Sequence, residues 1–351
     1  MKKILAVTSG KLTPSARFRI RQHIKYLNNN SIFIKESCPL IEKNKSVPFL
    51  SKYNPRYYLP IYFIWQLLKC LQRIPMLIRA KNYDYVWLNR ELVTGYFTFE
   101  YCLKRKIILD VDDAIWLNPP FGKSTARKLA KYSRKIVCGN EYLADWFRQY
   151  NKHVYIVPTA VDTDLFRPKD EPDETIEDIT LGWIGTHGNL KYLEYIMPAI
   201  NEVLEKNKNV FLTVICDQEP EWVKNNEKIK YKEWSEQEEV YNFQNISVGL
   251  MPLFEDEWTK GKCSFKLLQH LSCGAVVVGS PVGMNKNILL GDKNGAYPAK
   301  NTHEWKMVLQ KLIDNYPELK KEKGLLARNF IINNYSSKKV REMLLEIFKD
   351  D

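Results

Sequence analysis

The chain has 351 residues, of which 45% are hydrophobic and 27% are charged, and its formal net charge is +12. This length suffices for two domains, and the composition is that of a soluble globular protein rather than a fibrous or disordered one. The charge is unevenly placed, because residues 1–168 hold 29 basic and 12 acidic side chains (+17), whereas residues 169–351 hold 24 and 29 (−5). This asymmetry indicates an anionic surface as a partner of the first half.

The seven cysteines form neither a Cys-x-x-Cys pair nor a zinc-binding spacing with histidine. They are therefore expected to be reduced thiols of a cytoplasmic protein. Met1-Lys2-Lys3-Ile4 leads directly into a predicted strand, and no secretion signal is expected. The uncharged run Tyr57–Leu68, interrupted by Pro60, comes closest to a membrane span but falls short of the ~20 apolar residues needed. Frequent Lys, Asn, Ile and Tyr favour an AT-rich bacterial source.

Predicted strands and helices alternate along the whole chain, which indicates parallel sheets with right-handed crossovers and ligands at the carboxyl ends of the strands. The predicted strands are Ile4–Thr8, Ile32–Lys35, Tyr85–Leu88, Lys106–Val111, Ile136–Cys138, Val154–Pro158, Ile179–Ile184, Val210–Cys216, Ile246–Met251 and Ala275–Val278. The predicted helices include Arg21–Asn28, Ala126–Tyr132, Tyr192–Lys206 and Phe265–Leu271. A charged, proline-bearing stretch from Arg167 separates the two sets and reads as a linker.

The loop after the first predicted strand carries residues suited to phosphate. Gly10 allows close approach of the backbone, and Ser15 is placed to cap the next helix. Arg17, Arg19 and Arg21 form a basic cluster. The alternative for this loop is a solvated basic turn.

The segment from Glu257 to Val278 reads as a basic loop, a short helix and a buried strand. Lys262 and Lys266 are four residues apart and share one face if the helix has begun by Lys262. A helix N-terminus attracts anions, so two lysines there would hold a diphosphate. The alternative is a cationic surface loop before an ordinary helix and strand.

The same segment resembles the donor-site region of the group 1 (family 4) glycosyltransferases. The resemblance rests on Leu267-Leu268-Gln269-His270-Leu271-Ser272-Cys273-Gly274, on Pro281-Val282-Gly283 and on Val157-Pro158-Thr159-Ala160-Val161-Asp162, which is similar to the family's interdomain signature. The tail from Ala327 onward is similar to the family's closing helix. The resemblance implies an α/β protein with two Rossmann-like domains (the GT-B fold), parallel sheets and a C-terminal helix that crosses back to the first domain.

Two positions depart from the family pattern. Its two glutamates, eight residues apart, fall on Gly261 and Gln269 in this chain. Gln269 can still hydrogen-bond the ribose that the second glutamate binds, whereas Gly261 cannot replace the first. Some family members resemble this chain in carrying lysines at 262 and 266, which implies a variant donor site.

Asp110-Val111-Asp112-Asp113 invites a metal-site interpretation, since carboxylates bind Mg²⁺ or Mn²⁺. The run ends a parallel strand where family members carry Val-His-Asp, so the resemblance places Asp112 at the histidine that contacts the donor sugar. The alternative is a helix cap or an ion pair. Glu141, after the next strand, is expected to be a helix-start acid, and His187 a satisfied loop histidine.

The resemblance assigns catalysis to Asp112 and Lys266 and an acceptor or phosphate contact to Arg17. It implies no metal and no cofactor, because the nucleotide sugar is a substrate. The nucleotide base is expected near 230–234. The expected donor-binding residues are Gly10, Gly185, Thr186, Lys262, Ser264, Phe265, Leu267 and Gln269.

The stretch Tyr53–Arg79 is aromatic and apolar, with Lys52, Arg56, Lys69, Arg73 and Arg79 along it. Such a segment suits a membrane interface with anionic lipid, or alternatively a core helix under the first domain. The protein is thus expected in the cytoplasm or on the inner face of the cell membrane.

The sequence predicts a retaining, metal-independent glycosyltransferase that moves a sugar from a nucleotide sugar to a glycan or lipid-linked acceptor in cell-surface polysaccharide synthesis. The alternatives are a nucleotide-sugar epimerase of the same fold and a noncatalytic polyanion- or membrane-binding relative. No nucleic-acid-binding module is recognised, so nucleic acid is not an expected partner. The predicted boundaries are 1–166 for the first domain, 167–176 for the linker, 177–332 for the second domain and 333–351 for the closing helix.

Overall fold

The computed structural model describes residues 1–43, 45–50, 55–104, 106–170, 178–316 and 318–350. The chain divides into two compact units. Unit 1 comprises Met1–Ala160, Gly261–Cys263 and Val340–Asp351, and unit 2 comprises Val161–Lys260 and Ser264–Lys339. The predicted linker begins within unit 2 at Arg167, and its part from 171 to 176 lies outside the described residues.

Unit 1 is built on a parallel sheet of six strands in the order β2-β1-β3-β4-β5-β6. Valine, isoleucine and leucine fill the central strands, as expected for strands covered on both faces. The order changes direction at β1, so the carboxyl ends of β1 and β3 border the crevice where ligands of such sheets bind. The strands are β1 Lys2–Val7, β2 Ile32–Ser37, β3 Tyr85–Asn89, β4 Ile107–Val111, β5 Ser133–Cys138 and β6 Val154–Ile156.

A π-helix, Ala16–Arg21, precedes the first α-helix of unit 1. The core contains Trp87 and Phe348, whose rings meet edge to face with centroids 4.9 Å apart. The C-terminal residues from Val340 onward belong to this unit, as the predicted return of the closing helix requires. The helices are α1 Gln22–Asn28, α2 Leu59–Leu71, α3 Ile74–Ala80, α4 Gly122–Tyr132 and α5 Glu141–Arg148.

Unit 2 has a second parallel sheet of six strands, in the order β12-β11-β10-β7-β8-β9. Counted from its first strand, this is the Rossmann order 3-2-1-4-5-6, with the switch point between β7 and β10. The strands are β7 Ile179–Ile184, β8 Val210–Cys216, β9 Ile229–Glu233, β10 Val248–Met251, β11 Val276–Gly279 and β12 Ala296–Pro298. The remaining helices are α6 Leu190–Lys206, α7 Glu239–Gln244, α8 Glu257–Lys260, α9 Phe265–Ser272, α10 Thr302–Asp314, α11 Glu318–Tyr335 and α12 Ser337–Lys349.

The polarity of α2 and α3 is inverted relative to an ordinary surface helix. Lys69 and Arg73, expected at the basic edge of an apolar segment, are buried and donate hydrogen bonds to the backbone carbonyls of Lys43 and Thr8. Burial lowers the pKa of Lys69 to about 8, with a further contribution from nearby Lys43. Most apolar side chains of these helices are exposed instead, whereas Met76 and Ala80 of α3 are buried. In the described part of the chain no helix is long and apolar enough to cross a membrane.

Candidate active site

Two loops at the carboxyl edge of the unit 2 sheet follow β7 and β8. Gly185 directly follows β7, and an added Cβ there would lie 2.5 Å from the Trp183 ring, so glycine is required for close packing. The amide of His187 donates to Asp217 Oδ1 at 2.6 Å, and its ring Nδ1 lies 3.1 Å from Oδ2. Partial burial acts to raise the pKa of Asp217, but these hydrogen bonds outweigh it and lower the pKa. His187 is thus a satisfied loop histidine, as expected, and the hydroxyl of Thr186 accepts from Asn189 at 2.9 Å.

Helix α9 begins at Phe265, which corrects the proposed lysine arrangement. Lys262 lies before the helix in a loop of unit 1, whereas Lys266 stands in the first turn of α9 in unit 2. The four-residue spacing therefore does not place the two lysines on one helical face. Of the two lysines, only Lys266 adds its charge to the positive end of the α9 dipole.

Ser264 caps this helix in an unusual way. Its φ of +54° is left-handed, its side chain makes no cap hydrogen bond, and its buried Oγ has no partner among the described residues. A non-glycine residue in this region is strained, and such strain clusters at ligand sites. Phe265 is half-buried beside it, while Leu267 is fully buried, so only the backbone of Leu267 remains available to a donor.

Gln269 and Lys266 meet a buried carboxylate that the sequence reasoning missed. Glu239, the first residue of α7, is 2% exposed. Its Oε1 lies 3.4 Å from Gln269 Nε2 and 3.5 Å from Lys266 Nζ. Gln269 is itself fully buried, and its Oε1 has no partner among the described residues. Glu239 belongs to the acidic run Glu236-Gln237-Glu238-Glu239, in which the sequence gives no signal that one member is buried.

At the carboxyl edge of the unit 1 sheet, the arginine cluster divides. Arg19 is buried in a bidentate pair with Asp110, at 2.9 and 3.1 Å, and Arg21 pairs with Glu36 at 2.7 Å. Arg17 is half-buried, with its guanidinium 4.6 Å from the centre of the Phe18 ring. Two of the three arginines therefore hold the fold together, and Arg17 remains the candidate for acceptor or phosphate.

Gly10 and Ser15 are held by packing in this loop. An added Cβ at Gly10 would lie 2.5 Å from the Thr13 hydroxyl and 2.8 Å from the Glu42 side chain, so these side chains would have to shift to accept it. Ser15 does not cap the helix, which corrects that expectation, because the chain is already helical at this residue and its hydroxyl bonds Asn89 Oδ1 at 3.0 Å.

Asp112 and Asp113 share one arginine. Arg90 Nε lies 2.5 Å from Asp112, and Arg90 Nη2 lies 2.7 Å from Asp113. Arg90 has a left-handed φ of +60°, which aims its side chain at both carboxylates. Burial acts to raise the pKa of Asp112, but attraction to Arg90 outweighs it and lowers the pKa. Burial raises the pKa of Asp113 despite attraction to Arg90, and repulsion from Asp112 adds to the rise. The structure therefore agrees with the ion-pair alternative for Asp112.

The loop Gly261–Cys263 packs against the same part of unit 1. Asn140 Nδ2 donates to the carbonyls of Gly261 and Lys262 at 3.0 and 3.1 Å. Cys263 Sγ lies 3.2 Å from the carbonyl of Asp112. Lys262 is close enough to lower the pKa of Asp113, although burial outweighs this. The unit 1 carboxylates and Lys262 thus form one local electrostatic group.

Neither unit presents a metal site in the part of the chain that the structure describes, where no three His, Cys, Asp or Glu side chains converge suitably. The three carboxylates of the Asp110–Asp113 run form ion pairs with Arg19 and Arg90. Glu141, the first residue of α5, pairs with Arg148, which agrees with a helix-start acid.

The sequence of unit 2 matches a known family. Residues 178–315 match the family model described as Glycosyl transferases group 1. This region contains β7 to β12, α9 and the cluster formed by Glu239, Lys266 and Gln269. No curated protein matches the sequence at a significant level.

The fold of the whole chain is similar to that of solved glycosyltransferases. Sucrose-phosphate synthase from Thermosynechococcus elongatus aligns with a TM-score of 0.73 at 11% identity, covering 99% of this chain and 98% of that one. A glycosyltransferase from Rickettsia africae gives 0.69 at 14% identity, covering 99% and 98%. The HepE protein of Anabaena, solved in complex with UDP, gives 0.67 at 12% identity, covering all of both chains.

These findings define the fold of the protein as the two-Rossmann GT-B fold, which confirms the expected α/β architecture. Unit 2 carries a group 1 glycosyltransferase domain over residues 178–315, as the resemblance implied.

Proposed function

We propose that this enzyme transfers a sugar from a nucleoside-diphosphate sugar to a glycan or lipid-linked acceptor, with retention of anomeric configuration and without a metal. The observation that carries the proposal is the N-terminus of α9, where Lys266, the positive end of the helix dipole and the amide of Gln269 stand together in a group 1 domain. A cation and aligned dipoles stabilise a departing diphosphate. Lysine supplies the positive charge that a metal supplies in other transferases.

The remaining roles follow the resemblance. In unit 2, Gly185, Thr186 and Ser264 contact the diphosphate through backbone and hydroxyl groups, and Gln269 binds the ribose. In unit 1, Gly10 and Lys262 serve the donor, Arg17 serves the acceptor or its phosphate, and Asp112 stabilises charge that develops at the reacting sugar. UDP is the first nucleotide to test, since HepE binds it.

A thermal-shift panel tests the donor site. Wild type is heated with UDP, GDP, ADP and the matching nucleotide sugars, beside Lys266→Ala and the control Lys306→Ala, an exposed lysine on α10 paired with Glu202. Ligand at ~100 times Kd adds about 2.7 kcal/mol to wild-type stability. One nucleotide should stabilise wild type and the control but not Lys266→Ala. No shift with any ligand in folded wild type contradicts the proposal.

Product analysis separates the transferase from its rivals. Incubation with the donor alone should leave the sugar nucleotide intact apart from slow hydrolysis, and a glycan or lipid-linked acceptor should release the nucleoside diphosphate. An isomeric nucleotide sugar formed without acceptor would identify an epimerase. The α-configuration of the new bond from an α-linked donor, seen by NMR, tests retention, and activity in EDTA tests metal independence.

We further propose that unit 1 binds the inner face of a bacterial cell membrane, where a lipid-linked acceptor of cell-surface polysaccharide synthesis would lie. Support comes from the outward apolar face of α2 and α3. Its exposed side chains are Leu59, Ile61, Phe63, Ile64, Leu67, Leu68, Leu71, Ile74 and Ile78.

Charge selects anionic lipid as the partner of this face. The segment from Lys43 to Tyr83 contains eight Lys and Arg and no Asp or Glu. Although Lys69 and Arg73 turn inward, Lys45, Arg79 and Lys81 are exposed. An apolar helix face with exposed cations suits the boundary between acyl chains and anionic headgroups.

Vesicle sedimentation tests this surface. Wild type should sediment with phosphatidylglycerol vesicles and not with phosphatidylcholine alone, whereas Phe63→Glu should remain in the supernatant. Met307→Glu, on an equally exposed apolar residue of α10, is the control and should bind as wild type does. Equal binding of Phe63→Glu contradicts the proposal. Dimers that Phe63→Glu abolishes, without vesicle binding, would assign the face to a second copy of the chain.

A further inference from the structure

Glu239 is a buried carboxylate to which neither the sequence pattern nor the proposed chemistry assigns a role. It begins α7 and faces α9, where Lys266 and Gln269 are three residues apart and so lie on one side of the helix. Both reach the same carboxylate oxygen, Glu239 Oε1, at 3.5 and 3.4 Å. A carboxylate that is 2% exposed requires such partners, because burying an uncompensated charge is costly.

The carboxylate fixes the position of the Lys266 ammonium. The Lys266 side chain retains 27% of its exposure, so it bridges the buried Glu239 and the outer surface of the site. Its Nζ also lies 5.3 Å from the centre of the Phe243 ring. The flexible side chain of Lys266 is thereby held in place by Glu239 and Phe243. This restriction reduces the conformational entropy that Lys266 loses when it binds a phosphate.

The carboxylate also fixes the orientation of the Gln269 amide. The NH₂ group of Gln269 faces Glu239 and donates to its Oε1 atom at 3.4 Å. The Oε1 atom then points away, is buried, and has no partner among the described residues. A buried acceptor of this kind requires a donor, and a ribose hydroxyl of the nucleotide supplies one.

We propose that Glu239 is a positioning residue of the donor site, which anchors Lys266 for the diphosphate and turns the oxygen of Gln269 toward a ligand hydroxyl. The inference rests on the proposed function. The α9 carboxylate that the family pattern carries at position 269 is thus replaced in this chain by a carboxylate on the neighbouring helix. Glu239 need not touch the substrate to act in this way.

The alternative is that Glu239 only ties α7 to α9, and exchange of the carboxylate between the two helices distinguishes these roles. Glu239→Gln leaves the pair without a carboxylate. In wild type, Gln269 Nε2 lies 3.4 Å from Glu239 Oε1, so Gln269→Glu brings a second carboxylate to about the same distance from Glu239. The double variant Glu239→Gln/Gln269→Glu again has one carboxylate, now on α9, and like charges no longer meet.

The measurements are the Kd for UDP, with GDP and ADP in parallel, by titration calorimetry, and kcat and KM for the nucleotide sugar that wild type uses. We expect Glu239→Gln to weaken nucleotide binding at least tenfold and to raise KM more than it lowers kcat. Gln269→Glu should bind poorly, because two carboxylates then face each other across α7 and α9. The double variant should return to within about threefold of wild type.

Glu202→Gln, which removes an exposed carboxylate of α6 from its pair with Lys306, is the matched control and should bind as wild type does. Unchanged UDP affinity in Glu239→Gln overturns the inference, as does a folded double variant that binds no better than the weaker single variant. If Glu239→Gln fails to fold, the double variant still decides. Failure of wild type to bind any nucleoside diphosphate overturns the proposed function, and the inference with it.

Discussion

His270 occupies a fully buried site on α9, next to Gln269. Neither ring nitrogen has a partner among the described residues, and the ring packs edge to face on Phe243 at 4.7 Å. An added Cβ at Gly249 would lie 2.5 Å from this ring, so β10 approaches the histidine closely. Burial, assisted by repulsion from Lys266, lowers the pKa of His270 to about 3.

The lowered pKa predicts a loss of stability in acid. Below pH ~6.5 the unfolded chain protonates this histidine, whereas the folded chain does not until about pH 3, so stability falls as pH drops through this window. The His270→Leu variant lacks this effect. As the pH falls from 6 to 5, its unfolding free energy should rise relative to that of wild type by on the order of 1 kcal/mol per pH unit. Urea denaturation at several pH values measures this gap. A pH-independent gap between His270→Leu and wild type contradicts the argument.

At the scale of elements, α11 packs on the end of α9 through two glycines. Gly274, with a φ of +78°, ends α9, and an added Cβ at Gly324 of α11 would lie 2.7 Å from the Gly274 carbonyl oxygen. Helix propensity alone favours alanine over glycine by ~1 kcal/mol inside a helix. The contact is with backbone, which cannot move aside as a flexible side chain can.

Gly324→Ala is therefore expected to destabilise unit 2 despite the better helix propensity of alanine, by about 1–3 kcal/mol as for other overpacked sites. Equilibrium unfolding in urea, followed by circular dichroism, measures the change. Gly188→Ala has open space around its new methyl group and should change stability little. A Gly324→Ala protein that is more stable than wild type would show that propensity outweighs the contact.

The buried strands were predictable because runs of Val, Ile and Leu between turn residues are typical of strands covered on both faces. Strand β9, Ile-Lys-Tyr-Lys-Glu, was missed, since at the edge of its sheet it alternates with charged residues. Strand β12 has only three residues, too few for a periodic signal. The inward turn of Lys69 and Arg73 was also unpredictable, because charge normally marks the solvent side of a helix.

In the candidate site, sequence position identified α9 but not its partners. Lys266 and Gln269 could be named from their place in a motif. Glu239 is 27 and 30 residues away from them, and the pairing depends on how α7 packs beside α9. The pairing of Asp112 with Arg90 likewise depends on the left-handed backbone conformation at Arg90. No residue pattern in the sequence predicts that conformation.

At the scale of the whole molecule, the charge is divided between +17 in residues 1–168 and −5 in residues 169–351. If unit 1 binds anionic lipid, the electrostatic part of the affinity should weaken with salt, because the Debye length falls to ~3 Å at 1 M. Binding to phosphatidylglycerol vesicles should drop at least tenfold between 50 and 500 mM NaCl without disappearing, since apolar contacts remain. Salt-independent binding would assign the contact to the apolar face alone, and complete loss would assign it to charge alone.

The contribution of α12 to unit 1 has a consequence for how the protein is made. Val340, Leu344, Ile347 and Phe348 lie in the core of unit 1, although most of that unit is synthesised first. The nascent N-terminal residues therefore leave the ribosome without the side chains that complete their core, and residues 161–339 are translated before those side chains arrive. Domains usually mature in the order of synthesis. Here all of unit 2 is synthesised before translation reaches Phe348, so the core of unit 1 cannot be completed until then.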